Sequence, residues 1–252
     1  MNTNNSTVLL TGATNETGIG IGLARRLTDR GSTVIVSGRN RERLFGVAAE
    51  HPDFDTLHLD VDSPQSIAEA VASLKSTHPN LNGLITLAGV MVPEDVFDPR
   101  SVSIAEEIVH SNLIGTIRSV RAFLPQLLDQ PEATIITVAS GLGFVPRLDV
   151  PSYSASKAGV RMYTDAIRRQ LANTNVDVKL LAPPAVRTSL MHQENMVGAV
   201  PRDDFADEIL AILDNEPDND ELIAEAVKPL RYAEANGKYQ EMMDMLAGDV
   251  QR

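Results

Sequence analysis

Three side chains able to bind and move a proton stand near one another in the second half of the chain. Ser140 ends the β-branched run TIITVAS, and Tyr153 and Lys157 lie in the stretch YSASK. A Tyr and a Lys four residues apart on a helix project from one face. An ammonium beside a phenol favours the phenolate, which draws a tyrosine below its usual value of about 10 and suits Tyr153 to general acid/base work near neutral pH. Alone, such a pair is common and usually solvated. Ser140 strengthens the reading, because ligands of parallel α/β sheets bind beyond the C-terminal ends of the strands, where this hydroxyl falls.

A second candidate is TGATNETGIG, residues 11–20, directly after the apolar Val8, Leu9 and Leu10. A glycine-rich turn from strand to helix suits a pyrophosphate, since the helix N-terminus offers unpaired N–H groups and partial positive charge. Gly12, Gly18 and Gly20 are the positions where backbone bends or approaches a ligand, and Gly22 suits close helix–sheet packing. The commonest spacing, GxGxxG, is absent, and a ligand-free glycine-rich loop is the competing reading. Glu16 points either to solvent or toward the pyrophosphate, where like charge weakens binding. About 20 residues further on, where an acid would meet a ribose 2′-hydroxyl, the second strand ends in VSGRN with no acid. Gly38 leaves room there. Arg39 is either a cation for a 2′-phosphate or a surface arginine, and the strand position favours the phosphate.

These residues need a frame. Short β-branched or apolar runs at 7–10, 33–37, 56–59, 83–87, 134–139 and 176–181 alternate with helical patterns, which predicts repeated βαβ units and a parallel sheet covered on both faces. Asp62, Ser63 and Pro64 open a helix. Residues 103–128 predict one long amphipathic helix, with Ile104, Ile108, Leu113, Ile117, Val120 and Leu124 at three- to five-residue spacing. Residues 203–213 predict a helix, 221–223 a short last strand, and 226–246 a helix broken near Asn236 and Gly237. No linker or repeat divides residues 1–252, so one domain is expected. The Met-rich, aperiodic segment at about 188–202 is either a lid over a substrate or an irregular connection. Met191, Met196, Val197 and Val200 are expected on one wall of a substrate pocket, with Leu142, Phe144 and Val145 on the other.

Composition limits the partners. The 252 residues carry 22 basic against 34 acidic side chains, a net charge of −12, which argues against nucleic acid and anionic membranes. Without cysteine there is no thiolate metal site or thiol nucleophile, and no metal site is expected. The N-terminal MNTNNSTVLL lacks a signal-peptide pattern, so a cytoplasmic location is the expectation.

Taken together and in this order, the glycine-rich turn, GRN, LDVD, LAG at 87–89, Asn112 in SNLIG, Ser140, YSASK and the segment from Pro184 to Thr188 resemble the short-chain dehydrogenase/reductase family over essentially the whole chain. The stretches SGLGFVP, LAPPAV and KPLRYAEANGKY are similar to its DltE-like subgroup. The resemblance implies a Rossmann-like, doubly wound parallel sheet. It implies catalysis by Asn112, Ser140, Tyr153 and Lys157. Tyr153 would exchange a proton with the substrate oxygen, Ser140 would bind that oxygen, and Lys157 would hold the nicotinamide ribose and lower the Tyr153 pKa. Asn112 would bend its helix and hold a relay water. The implied cofactor contacts are Gly12, Thr14, Gly18, Ile19, Gly20, Arg39, Asp60, Val61, Ala88, Gly89, Tyr153, Lys157, Val186 and Thr188. Three positions depart from the family pattern: the turn is two residues longer than usual, NNAG reads TLAG, and Pro–Gly reads Pro183–Pro184.

The expected function is an NADP(H)-dependent oxidoreductase, with NADP(H) favoured over NAD(H), acting on a small-molecule carbonyl or secondary alcohol as a homodimer or homotetramer. The alternative is a cofactor-binding regulator or scaffold with the same fold and little turnover.

Overall fold

The computed structural model describes residues 4–191 and 196–247. One sheet of seven parallel strands carries the structure, in the order β3-β2-β1-β4-β5-β6-β7. The strands are β1 (Thr7–Thr11), β2 (Thr33–Gly38), β3 (Asp55–His58), β4 (Gly83–Thr86), β5 (Ala133–Val138), β6 (Val176–Ala182) and β7 (Glu221–Ile223). Each falls within one residue of its expected bounds. Strands β1, β4 and β5 are buried along their whole length. They read as near-continuous apolar runs because both faces are covered.

Within β1 the side chains alternate. Val8 and Leu10 join the core under α1 (Ile19–Asp29) and α7 (Arg202–Asn215), with Ile21, Leu23, Phe205 and Ile209. Leu9 joins the opposite core with Ile67 and Leu74 of α3 (Pro64–Thr77) and Phe123 of α5 (Gly115–Leu128). The doubly wound arrangement follows from that alternation. Strand order reverses between β1 and β4, which opens a crevice at their C-terminal ends.

Local signals behave as their chemistry dictates. The Ser63 hydroxyl caps α3 by accepting from Ser66 N–H at 3.2 Å, with Pro64 in the first turn. Asn40 likewise caps α2 (Arg41–Glu50). The expected helix over 103–128 is continuous but not uniform: α4 (Ser101–Val109) passes through a π-helical turn, His110–Ile114, into α5. After β7 the chain makes a 3₁₀ turn, Glu225–Val227, then α8 (Lys228–Arg231) and α9 (Tyr239–Ala247). The break between these helices sits at Gly237, whose φ of +67° is left-handed. Among the described residues, no helix is long and apolar enough to cross a membrane.

The lengthened turn before α1 reaches across the crevice. Asn15 Nδ2 donates to Ser189 Oγ at 2.5 Å, and Ser189 N–H donates to Thr17 Oγ1 at 2.9 Å. Arg202 donates to the Glu16 carbonyl at 2.6 Å. The Glu16 side chain does not line the crevice; it is 41% exposed, and His51, just past α2, holds its carboxylate at 3.0 Å. The extra residues therefore clasp both flanks of the segment that follows β6.

Each exposed side-chain hydrogen bond is worth about 1 kcal/mol or less. Combining Thr17→Val with Ser189→Ala is expected to lower unfolding free energy by about 1–2 kcal/mol, read from urea denaturation. An unchanged midpoint would show that the clasp contributes nothing net.

Candidate active site

The site lies along the C-terminal ends of β1, β2, β4, β5 and β6. At the exit of β1, Gly12 has φ +68°, and a Cβ there would lie 2.4 Å from the Ala88 Cα. Only glycine permits that approach. Gly18 heads α1 in extended conformation with no side-chain cap. The first N–H groups of α1 are thus open for an anion. A bare helix N-terminus and a glycine cradle beside a long crevice fit the pyrophosphate of a dinucleotide.

The crevice has two parts. One, of about 340 Å³, is lined by Gly12, Thr14, Arg39, Asp60, Val61, Ala88 and Gly89. Arg39 is 57% exposed and lies 3.5 Å from the Asp62 carboxylate. Asp62 also accepts from Ser111 Oγ at 2.6 Å. Arg43 lines both parts, and sequence reasoning passed over it. Its signal was its position one turn beyond Arg39, behind the helix cap at Asn40. Asp60 serves its own loop as well, accepting from Asp62 N–H at 3.1 Å.

The other part, of about 510 Å³, is lined by Gly12, Thr14, Gly18, Ile19, Gly20, Gly89, Ser140, Tyr153, Lys157, Val186 and Thr188. Every expected cofactor residue therefore borders the crevice. Val186 is pinned by a parallel bridge to Val200, and Thr188 Oγ1 accepts from Leu190 N–H at 3.3 Å. The variant TLAG motif turns Leu87 onto the core under α1. Pro183 accepts from Gly141 N–H at 3.0 Å, tying the ends of β5 and β6 together.

Helix α6 (Pro151–Leu171) carries Tyr153 and Lys157, both buried. Lys157 Nζ donates to the Val138 carbonyl at 2.8 Å and lies 5.7 Å from the centre of the Tyr153 ring. Burial pulls the Lys157 ammonium down to about 8. Burial also pushes the Tyr153 phenol up, and the Ser140 hydroxyl draws it part of the way back. The phenol thus moves opposite to the expected lysine-driven lowering: desolvation is the larger influence, and the group that lowers Tyr153 is the Ser140 hydroxyl, while Lys157 Nζ is directed at the Val138 carbonyl.

Asn112 stands behind the wall of the crevice, fully buried in the π-helical turn. Its Oδ1 accepts from Val90 N–H at 2.7 Å, and its Nδ2 donates to Val90 C=O at 3.0 Å and to Ser156 Oγ at 3.1 Å. Its helix departs from α geometry at this residue, through the π-helical turn.

Ser140 and Tyr153 also border a further cavity of about 480 Å³, together with Leu142, Met191 and Met196 as expected. Four residues expected there do not line it. Val197 is 96% exposed, Val145 is buried in the core, and Val200 pairs with Val186. Phe144 is held between the guanidinium groups of Arg161 and Arg231, at 5.0 and 5.2 Å. Of the expected lid, residues 192–195 lie outside the described residues.

Comparison with known proteins agrees with this geometry. Residues 6–197 match the family described as short chain dehydrogenase. The uncharacterized oxidoreductase DltE of Bacillus subtilis is 36% identical over 192 residues, covering 75% of each chain. A short chain dehydrogenase from Burkholderia cenocepacia, solved in complex with NADP, superposes with a TM-score of 0.82 at 27% identity, covering 98% of this chain and 99% of that one. Serine dehydrogenase from Escherichia coli gives 0.71 at 29% identity, covering 82% and 90%. With its catalytic-type residues on a doubly wound sheet and this likeness across most of its length, the chain belongs to the short-chain dehydrogenase/reductase family, in its DltE-like subgroup.

Proposed function

We propose that the protein is an NADP(H)-dependent oxidoreductase that interconverts a carbonyl and a secondary alcohol. The observation that carries this reading is the shared wall: Ser140 and Tyr153 border both the dinucleotide crevice and the adjoining cavity. A substrate oxygen placed between them reaches a proton donor and a second hydroxyl at once. When bound, the nicotinamide supplies or accepts the hydride. Everything else falls to the chain.

Tyr153 holds its proton at neutral pH because burial raises its pKa, so in the reducing direction it is the acid that protonates the substrate oxygen. Ser140 donates to the same oxygen and stabilises charge developing on it. Lys157, drawn down to about 8, exchanges protons near the working pH. Asn112 acts through others, fixing Val90 and Ser156 and with them the rotation of α6. Preference for NADP(H) is supported by Arg39 and Arg43 at the adenosine end, and by the absence of an acid at the end of β2. The NADP carried by the Burkholderia relative is consistent with that preference.

Titration with NADPH and with NADH, followed by nicotinamide fluorescence, tests the reading; the chain has no tryptophan to interfere. Tighter binding of NADPH is expected, and Arg39→Asp should shift preference toward NADH. Binding of neither cofactor would favour the scaffold alternative. Tyr153→Phe is expected to cut turnover by about 10²- to 10⁴-fold with cofactor affinity nearly intact, and unaltered turnover would remove Tyr153 from the chemistry.

Lys157 also predicts a pH dependence of stability. Between about 8 and its ordinary 10.5, the unfolded chain keeps a proton here that the folded chain has released. Stability contributed at this position therefore rises with pH across that window. Denaturation of the wild type and of Lys157→Met at several pH values should show the wild type gaining on the variant from pH 8 upward, whereas parallel curves would contradict the depressed lysine.

A further inference from the structure

The cavity beside Ser140 and Tyr153 is assembled from segments distant in sequence. Met91 follows β4, Leu142 follows β5, Met191 and Met196 follow β6, Leu230 belongs to α8 and Met245 to α9. Four of these are methionines, out of eight in the whole chain. A thioether on an unbranched stem reshapes at little cost, which suits a flexible hydrocarbon better than a rigid polar group. Helix α9 has no buried residue of its own, yet it turns Met245 and Leu246 onto this cavity.

Among the described lining residues, Arg147 is the only charged side chain. Its Nη2 donates to Asp149 Oδ2 at 2.7 Å, and both side chains are largely buried. The protein itself balances that cation, so it is not left over for the carboxylate of a ligand. The remaining side-chain hydrogen-bonding groups are Ser140 and Tyr153, which the reaction assigns to the substrate oxygen.

Resting on the function proposed above, we infer that the substrate is a ketone or secondary alcohol bearing an extended apolar arm, with α9 as the wall that senses its length. In reduction the carbonyl carbon takes a hydride, with its electron pair, from NADPH, and the oxygen takes a proton from Tyr153, leaving an alcohol, NADP⁺ and a Tyr153 phenolate that regains its proton from water. Hydroxy acids and amino acids are disfavoured. Their charges would be stripped of water here and met only by a guanidinium that is already paired.

The test is kcat/KM for NADPH-dependent reduction of methyl ketones from butanone to decanone, beside oxidation of serine and hydroxybutyrate with NADP⁺. The expected result is a rise of about fourfold for each added methylene until the arm fills the cavity, with the two acids poor substrates. Met245→Glu, at a side chain that is 58% exposed on the cavity's edge, should flatten the rise. Efficient turnover of the acids without a rise along the ketone series would overturn the apolar assignment and leave the oxidoreductase reading intact. If no compound turns over, the oxidoreductase reading fails, and calorimetric binding of the same ketones decides the cavity's chemistry. Affinity that climbs with chain length and is blunted by Met245→Glu supports the inference; affinity independent of length overturns it.

Discussion

The carboxamide of Asn112 joins three chain segments that would otherwise set the site's geometry independently. It pairs with both backbone groups of Val90, as a neighbouring strand would, and with the hydroxyl of Ser156 on α6. The exit of β4, the long helix and α6 are thereby held in one register. A side chain reaches that position because the helix widens to π geometry over His110–Ile114, an insertion often found at functional sites. Gly89 completes the joint, since a Cβ there would lie 2.9 Å from Asn112 Oδ1. Tyr153 and Lys157 share a face through their four-residue spacing on α6, and the bond from Asn112 to Ser156 ties that helix to the exit of β4.

Burial acts on the two titrating groups that α6 brings to the crevice in opposite directions and favours the neutral form of each, raising Tyr153 and lowering Lys157. A fold gains nothing from hiding such groups. Lys157 is accommodated only because the Val138 carbonyl, at the end of a fully buried strand, is within 2.8 Å. The sheet therefore contributes chemically as well as mechanically, because a strand end offers an acceptor that no further ladder partner claims. The same holds for Pro183, whose carbonyl receives the chain leaving β5. Stability is given up where reactivity is needed, and the continuous cores on both faces bear the cost.

Much of this architecture was legible in the sequence. Strands buried on both faces must be apolar throughout, and that constraint marked β1, β4 and β5, whereas the half-exposed β3 was legible from its place in the alternation of short runs and helical patterns. Even the π-helical turn left a trace: the step from Ile108 to Leu113 is five residues, and it ends inside His110–Ile114. Of the residues bordering the crevice, Gly12, Gly18, Gly20, Arg39 and Ser140 were legible from strand ends and a helix start, whereas Asp60, Val61, Ala88, Val186 and Thr188 followed from the family resemblance. What escaped depended on partners far away in the chain. Glu16 is oriented by His51, and Phe144 by Arg161 and Arg231. The proton affinity of Tyr153 is set by the degree of enclosure, which no spacing records. Arg43 was hidden by resemblance, as one arginine in the charged opening of a surface helix.

The clasp before α1 has a consequence for the order in which the molecule is built. Ser189 lies 172 residues beyond Thr17 and 174 beyond Asn15, so the turn emerges early in synthesis and finds these partners only when most of the chain exists. Strand β1 likewise pairs first with β2 and waits for β4 to cover its other edge. Contacts of such long sequence separation form slowly, and until they form the apolar edge of β1 is open to mispairing. Nascent chains shorter than residue 189 therefore carry the phosphate-type turn without its counterpart, so that the crevice closes on that flank only once Ser189 has been added.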